Sequence, residues 1–172
     1  GDVYKRQEEH RAEMLQQLKG QYAVCVWDSR TNEVLLARDR AGICPLFYTV
    51  VKHDGSDWLM FASEIKALFA SGLVERKANL QGLNHIFTFM AMPGPTTVFS
   101  GVKAIAPGRY LHFKLGQATP EQATTQKVYW QISYPEQGQE DYGADEKKVV
   151  DGFEEVLFKA VQRRVWADVP VV

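Results

Sequence analysis

Two hairpin signals constrain this chain more than any other feature. Tyr22 to Trp27 is a nearly continuous apolar run, too short for a lone helix and suited to a strand buried on both faces. Asp28-Ser29-Arg30-Thr31-Asn32 is a turn by composition, and Val34 to Ala37 returns as the second strand. The pattern then recurs. Phe47 to Val51 and Trp58 to Phe61 flank His53-Asp54-Gly55-Ser56, where Asp-Gly is the turn signal. The first part of the chain is therefore mostly strands joined by hairpin turns.

Helical spacing marks the intervals. Residues 8–18 carry Met14, Leu15 and Leu18 on one side, and Gly20 ends that helix. Ser63 is a candidate cap for a helix that buries Ile65, Leu68 and Phe69. Glu64 suits the positive end of its dipole, and Gly72 stops it. Leu80 to Phe89 is a second short helix, with Leu80, Leu83, Ile86 and Phe87 inward. Pro93-Gly94-Pro95 breaks the chain into a loop, and a Pro107-Gly108 turn precedes a strand over Tyr110 to Phe113.

The second part differs in style. Residues 116–127 are polar and pattern-free and read as a linker or hairpin excursion, after which Tyr129-Trp130 anchors something. Residues 135–146 read as an acidic loop. Residues 147–165 form a clear helix, with Val149, Phe153, Val156, Leu157, Ala160 and Val161 at helical spacing. Val169-Pro170-Val171-Val172 begins a buried strand, and helix followed by apolar strand opens an α/β unit. A domain boundary near 115–130 explains the change.

Composition excludes several function classes. Twenty basic against 21 acidic residues give a formal net charge of −1, so nothing points to nucleic acid or an anionic membrane surface. No apolar run approaches the roughly 20 residues that span a bilayer. No secretory signal is visible, so the expected location is cytoplasmic. Cys25 and Cys44 lack CxxC spacing and lie in apolar stretches, as small buried hydrophobes do. The four histidines are scattered, and no metal site is expected.

Three strings in fixed order carry a resemblance: RDRAGICPLFY (38–48), FASEIKAL (61–68) and PGPTTVFSGVKAIAPGRYL (93–111), completed by ADVPVV (167–172). Together they resemble the glutamine-hydrolysing asparagine synthetases, members of the class II glutamine amidotransferase family. The likeness covers roughly 15–115 well and 148–172 adequately. It implies an α+β fold: the C-terminal part of an N-terminal-nucleophile hydrolase αββα sandwich, followed by the first helix and strand of an α/β ATP-pyrophosphatase-type synthetase domain. The implied layout is amidotransferase domain over 8–115, linker over 116–146 and the start of the synthetase domain over 147–172. One back-translation of DVYKRQ is a transposon-end sequence, so residues 1–7 are read as translated sequencing adaptor, the alternative being a natural polar tail. Val171–Val172 stops mid-pattern, and the chain is expected to be a piece of a longer protein.

The resemblance also implies chemistry. One half hydrolyses glutamine through a cysteine thioester, using an N-terminal cysteine whose own α-amino group is the base. The ammonia passes internally to the other half, where ATP and Mg2+ activate the aspartate side-chain carboxylate. By that resemblance the nucleophile would lie before the first residue of this chain, and the Ser-Gly-Gly-x-Asp-Ser loop for ATP after the last. Catalytic, cofactor-binding and metal residues expected within the chain are therefore none, and the chain alone is expected to be inactive. Small molecules (glutamine, aspartate and ATP) are the expected partners of the longer protein, with no nucleic acid and no membrane; a homodimer is allowed.

Within the strings, Gly42 permits a turn other residues resist, Pro45 biases Cys44 to extended geometry, and Arg38, Asp39 and Arg40 can pair charges. The family reading makes this segment a scaffold near the domain interface. Glu64 could bind a cation or donor, or simply satisfy its helix end. Arg163 and Arg164 complement a helix dipole, Asp168 approaches the nucleotide site, and Trp166 packs or is neutral. The alternatives to asparagine synthesis are an amidotransferase with another acceptor and a non-catalytic pseudo-glutaminase interaction domain.

Overall fold

A computed structural model describes residues 11–139, 143 and 145–165. The adaptor reading of 1–7, the start of the first helix, Trp166, Asp168 and the strand expected at 169–172 lie outside the described residues. Two compact units divide at Ile132/Ser133.

The first unit is built on two antiparallel sheets, as the hairpins demand. Strands β1 (Ala23–Asp28), β2 (Glu33–Arg38), β6 (Arg109–Lys114) and β7 (Lys127–Val128) form one sheet in that order. Strands β3 (Phe47–His53), β4 (Ser56–Ala62) and β5 (Lys103–Ala104) form the other, ordered β4-β3-β5. Asp54 and Gly55 both have positive φ, 48° and 75°, as a two-residue hairpin turn between His53 and Ser56 requires.

Side-chain alternation gives the larger sheet two apolar faces. Val34, Leu36 and Leu111 meet Leu46, Tyr48 and Ile105 in the core between the sheets. Leu35 and Ala37 point the other way, onto Met14 and Leu15 of helix α1 (Met14–Gln17). The first unit is thus layered helix, sheet, sheet. Burial of each such large side chain is worth about 1.5–3 kcal/mol.

The strand expected to be buried on both faces is not. β1 is an edge strand, and its Cys25 and Trp27 are exposed, Trp27 by 61%. The doubly buried strand is β2, because it sits between β1 and β6. Cys44 is half-buried, so neither cysteine is the buried small hydrophobe expected.

Helix α2 (Ile65–Ala70) buries Leu68 and ends at Gly72, but Ser63 does not cap it. Helix α3 (Leu80–Phe89) has the expected bounds and is capped by Asn79, which accepts from the amides of Gln81 and Gly82. Its expected inward face is not buried: Leu80 and Phe87 are 78% and 83% exposed, and Gly82 is the buried contact, against Thr97. Residues 116–127, read from composition as a linker or hairpin excursion, are an excursion between the antiparallel pair β6 and β7. They hold helix α4 (Pro120–Thr124), with a capping box between Thr119 and Gln122, and the start of β7. In the second unit, helix α5 (Glu146–Gln162) is capped by Asp145 and has no buried residue. Among the described residues no helix is long and apolar enough to cross a membrane.

Candidate functional site

The most ordered polar site lies in the loop after β2, inside the first of the three strings. Arg38 and Asp39 are adjacent at a strand end, so their side chains leave on opposite sides. A loop without ladder partners must find other acceptors and donors for its backbone. Asp39 supplies the acceptors. Its Oδ1 accepts from the amides of Ala41 (3.1 Å) and Ile43 (3.0 Å), and its Oδ2 from those of Cys44 (2.9 Å) and Tyr22 (3.4 Å). The residue is 1% exposed. Burial pushes its carboxyl up, but the amide donors outweigh this and hold it below the usual carboxylate range.

Arg38 supplies the donors. Nε donates to Cys44 O (2.8 Å), Nη1 to Ile105 O (2.9 Å) and Nη2 to Gly42 O (2.5 Å). Burial lowers its pKa, and the charge of Asp39 opposes that. The expected charge pairing among Arg38, Asp39 and Arg40 is absent: among the described residues, all three satisfy backbone groups instead, Arg40 reaching Gln16 O. Gly42 has φ +66°, and a Cβ there would stand 2.7 Å from Pro107 Cγ, so no larger residue fits the loop as it is folded.

Other candidates stay apart. Glu64 occupies the N-cap position of α2 without capping it and instead pairs with Lys66 at 2.7 Å, fully at the surface. Pro95 O accepts from the amide of Ala104 at 2.8 Å, fastening the Pro-Gly-Pro loop to β5. Arg163 terminates α5, its amide bonding to Lys159 O. An open depression of about 420 Å3 is lined by His112, Lys114, Gln117, Gln122, Thr125 and Lys127 among others. It holds no carboxylate, and the Thr125 hydroxyl is donated to Glu121 O.

Chemically, this arrangement holds shape. Among the described residues neither cysteine has a hydrogen-bonded base. Although Cys25 has an exposed surface, partial desolvation by its neighbours pushes its thiol up, away from the thiolate a nucleophile needs. No three His, Cys, Asp or Glu side chains among the described residues gather to hold a metal ion. Sequence reasoning missed the carboxylate cage and the part that Tyr22 and Tyr129 play beside it. The available signal was Asp39 followed by Gly42, the composition of a turn organised by a side chain.

Residues 3–130 match the family described as a glutamine amidotransferase domain. Amidase chry2 of Gibberella zeae is 34% identical over 154 residues, covering 90% of this chain and 21% of its own length. Asparagine synthetase [glutamine-hydrolyzing] 2 of Bacillus subtilis is 34% identical over 160 residues, covering 88% of this chain and 20% of its own. Asparagine synthetase [glutamine-hydrolyzing] 3 of the same organism is 32% identical over 171 residues, covering 95% and 24%. The chain thus spans between a fifth and a quarter of the length of these relatives.

Proposed function

The chain belongs to the glutamine amidotransferase domain family, and from that premise we propose that it serves a glutamine-dependent asparagine synthetase. One observation carries the reading. The domain match ends at residue 130, whereas the synthetase matches cover 88–95% of the chain and so must run on into the second unit. A likeness confined to glutamine hydrolysis would stop with the first unit. The match to Amidase chry2 runs on as well, over 90% of the chain, so this extension supports a two-part amidotransferase. The synthetase relatives at 28–34% identity are what favour aspartate as acceptor.

In this reading, the longer protein releases ammonia from glutamine in one half and joins it to ATP-activated aspartate in the other. The first unit of this chain builds the frame of the glutamine-hydrolysing half. ATP and Mg2+ would supply carboxylate activation, but no described residues gather to hold a metal, and no step is assigned to them in residues 11–165. The Asp39 loop contributes a fixed wall rather than a reacting group.

The test is product analysis on the longer protein with glutamine, aspartate, ATP and Mg2+. Asparagine and glutamate in equal amounts are expected, and free ammonia should substitute for glutamine. Glutamate without asparagine would reject the acceptor. That result would favour a second reading, an amidotransferase with another acceptor, which the 34% identity to Amidase chry2 supports. The 172-residue chain alone is expected to release no ammonia from glutamine above buffer, because neither cysteine is paired with a base. Turnover by the purified chain would refute this.

A further inference from the structure

Residues 126–130 lie just before the boundary of the first unit, and they reach back to the loop that Asp39 organises. Tyr129 OH stands 2.8 Å from Arg38 O and donates to it, since a carbonyl can only accept. The 2.7 Å contact between the Tyr22 and Tyr129 hydroxyls must then be donated by Tyr22. Tyr22 is itself joined to Asp39 twice, by its amide to the carboxylate and by its carbonyl to the Asp39 amide at 2.9 Å. Tyr22, Arg38–Asp39 and Tyr129 thus form a closed ring of bonds.

Backbone contacts add a second tie. The amides of Tyr129 and Trp130 both bond to Gly108 O, at 3.0 and 3.2 Å, and the Gly108 amide bonds to Asp39 O at 3.0 Å. Gly108 has φ +65°, and a Cβ there would stand 2.2 Å from Trp130 O. The Arg40 guanidinium lies 5.9 Å over the Trp130 ring. Gln126 makes a third tie. Its Oε1 accepts from the Ala106 amide (2.9 Å), and its Nε2 donates to Ala104 O (2.9 Å) and Tyr48 OH (3.3 Å). Val128 is 46% exposed, while the Tyr129 ring packs on the Met14, Leu15, Leu35 and Ala37 cluster and lies beside Tyr110, so directed bonds and apolar contact both hold the segment. Directed bonds fix position, whereas apolar cover alone does not.

We propose that residues 126–130 are a strap, anchored by Gln126 to Ala104, Ala106 and Tyr48, and that Tyr129 is the positioning residue that sets where the 38–45 loop sits on the two sheets. The strap also ties that loop to the chain leaving the first unit, so that a displacement at either is carried to the other. Its consequence for turnover rests on the glutaminase reading above; its existence does not.

Amide hydrogen exchange on the 172-residue chain tests the strap without any activity. Tyr129→Phe should accelerate exchange at Ala41, Ile43 and Cys44 about tenfold, the effect of losing roughly one net hydrogen bond. Leu36 and Leu111, in the core, should keep their original rates. Tyr22→Phe removes one bond of the ring and should give a smaller acceleration at the same three amides. That variant decides the matter should Tyr129→Phe fold poorly. Unchanged exchange in the loop, or equal acceleration in loop and core, overturns the proposal. In the longer protein, Tyr129→Phe should lower glutamine-driven product formation more than ammonia-driven formation; an equal loss marks Tyr129 as a mere staple and overturns the positioning role. If the unmodified longer protein does not hydrolyse glutamine, the functional reading fails, and the exchange rates decide the strap by themselves.

Discussion

Asp39 shows at the scale of one residue how a buried charge can hold a loop. Its folded pKa is depressed, so it contributes stability that is present above the ordinary carboxylate range and is lost as pH falls through the folded value. Asp39→Asn should cost at least about 2 kcal/mol, because an amide NH2 would face backbone donors in place of an acceptor. Urea unfolding at neutral pH measures that cost. The same experiment repeated toward acid should show the two proteins converging, and parallel curves would assign the acid sensitivity elsewhere. The charged string 38–40 pointed from sequence to this place but not to this arrangement. Adjacent side chains at a strand end diverge, so neighbouring charges could not pair, and the loop's unpaired amides took the carboxylate instead.

At the scale of elements, glycine means different things in two helices. Gly82 in α3 presses on the Thr97–Val98 backbone, where a Cβ would stand 2.2 Å from Thr97 O. Gly152 in α5 has nothing within 4 Å of that position. Gly82→Ala should therefore destabilise the first unit, by roughly 1–3 kcal/mol as overpacking does, despite alanine's better helix propensity. Gly152→Ala should strengthen α5 by about 0.5–1 kcal/mol. Thermal unfolding followed by circular dichroism separates the two, and shifts of the same sign would contradict the packing argument. Helix α3 was legible in its bounds, from the Leu80–Phe89 pattern, but not in its cap, Asn79, or in its buried contact, Gly82. Helix α4 was not legible, although its capping residues Thr119 and Gln122 and Pro120 at its start are all present in the sequence. Five residues are too few to show a helical period.

The whole molecule adds edges. Among the described residues no strand pairs with the outer side of β1, and Trp27 and Cys25 on it are exposed. Open apolar strand edges invite pairing with another chain. The 172-residue chain should therefore self-associate as its concentration rises. Trp27→Thr should reduce that association without loss of thermal stability, since threonine suits an edge strand. Sedimentation velocity across a concentration series checks this, and unchanged association in the variant would place the sticky surface elsewhere. Exposed Phe87 and Met90, at the end of α3, are the next place to look.

The amino-acid sequence by itself determined the local elements and the family. Turn residues at 28–32 and 53–56 impose hairpins, apolar spacing over 80–89 and from 147 to about 162 imposes helices, and three strings in order identify the amidotransferase. These are signals read over a few residues, where backbone geometry and side-chain period leave little choice. Which strand is central, which glycine is crowded and where Asp39, Tyr129 and Gln126 find their partners were decided only by tertiary structure. Tyr22 and Tyr129 are 107 positions apart, and their hydroxyls meet at 2.7 Å. Contacts across such separations depend on sheet order, and sheet order depends on how all the apolar faces are buried at once.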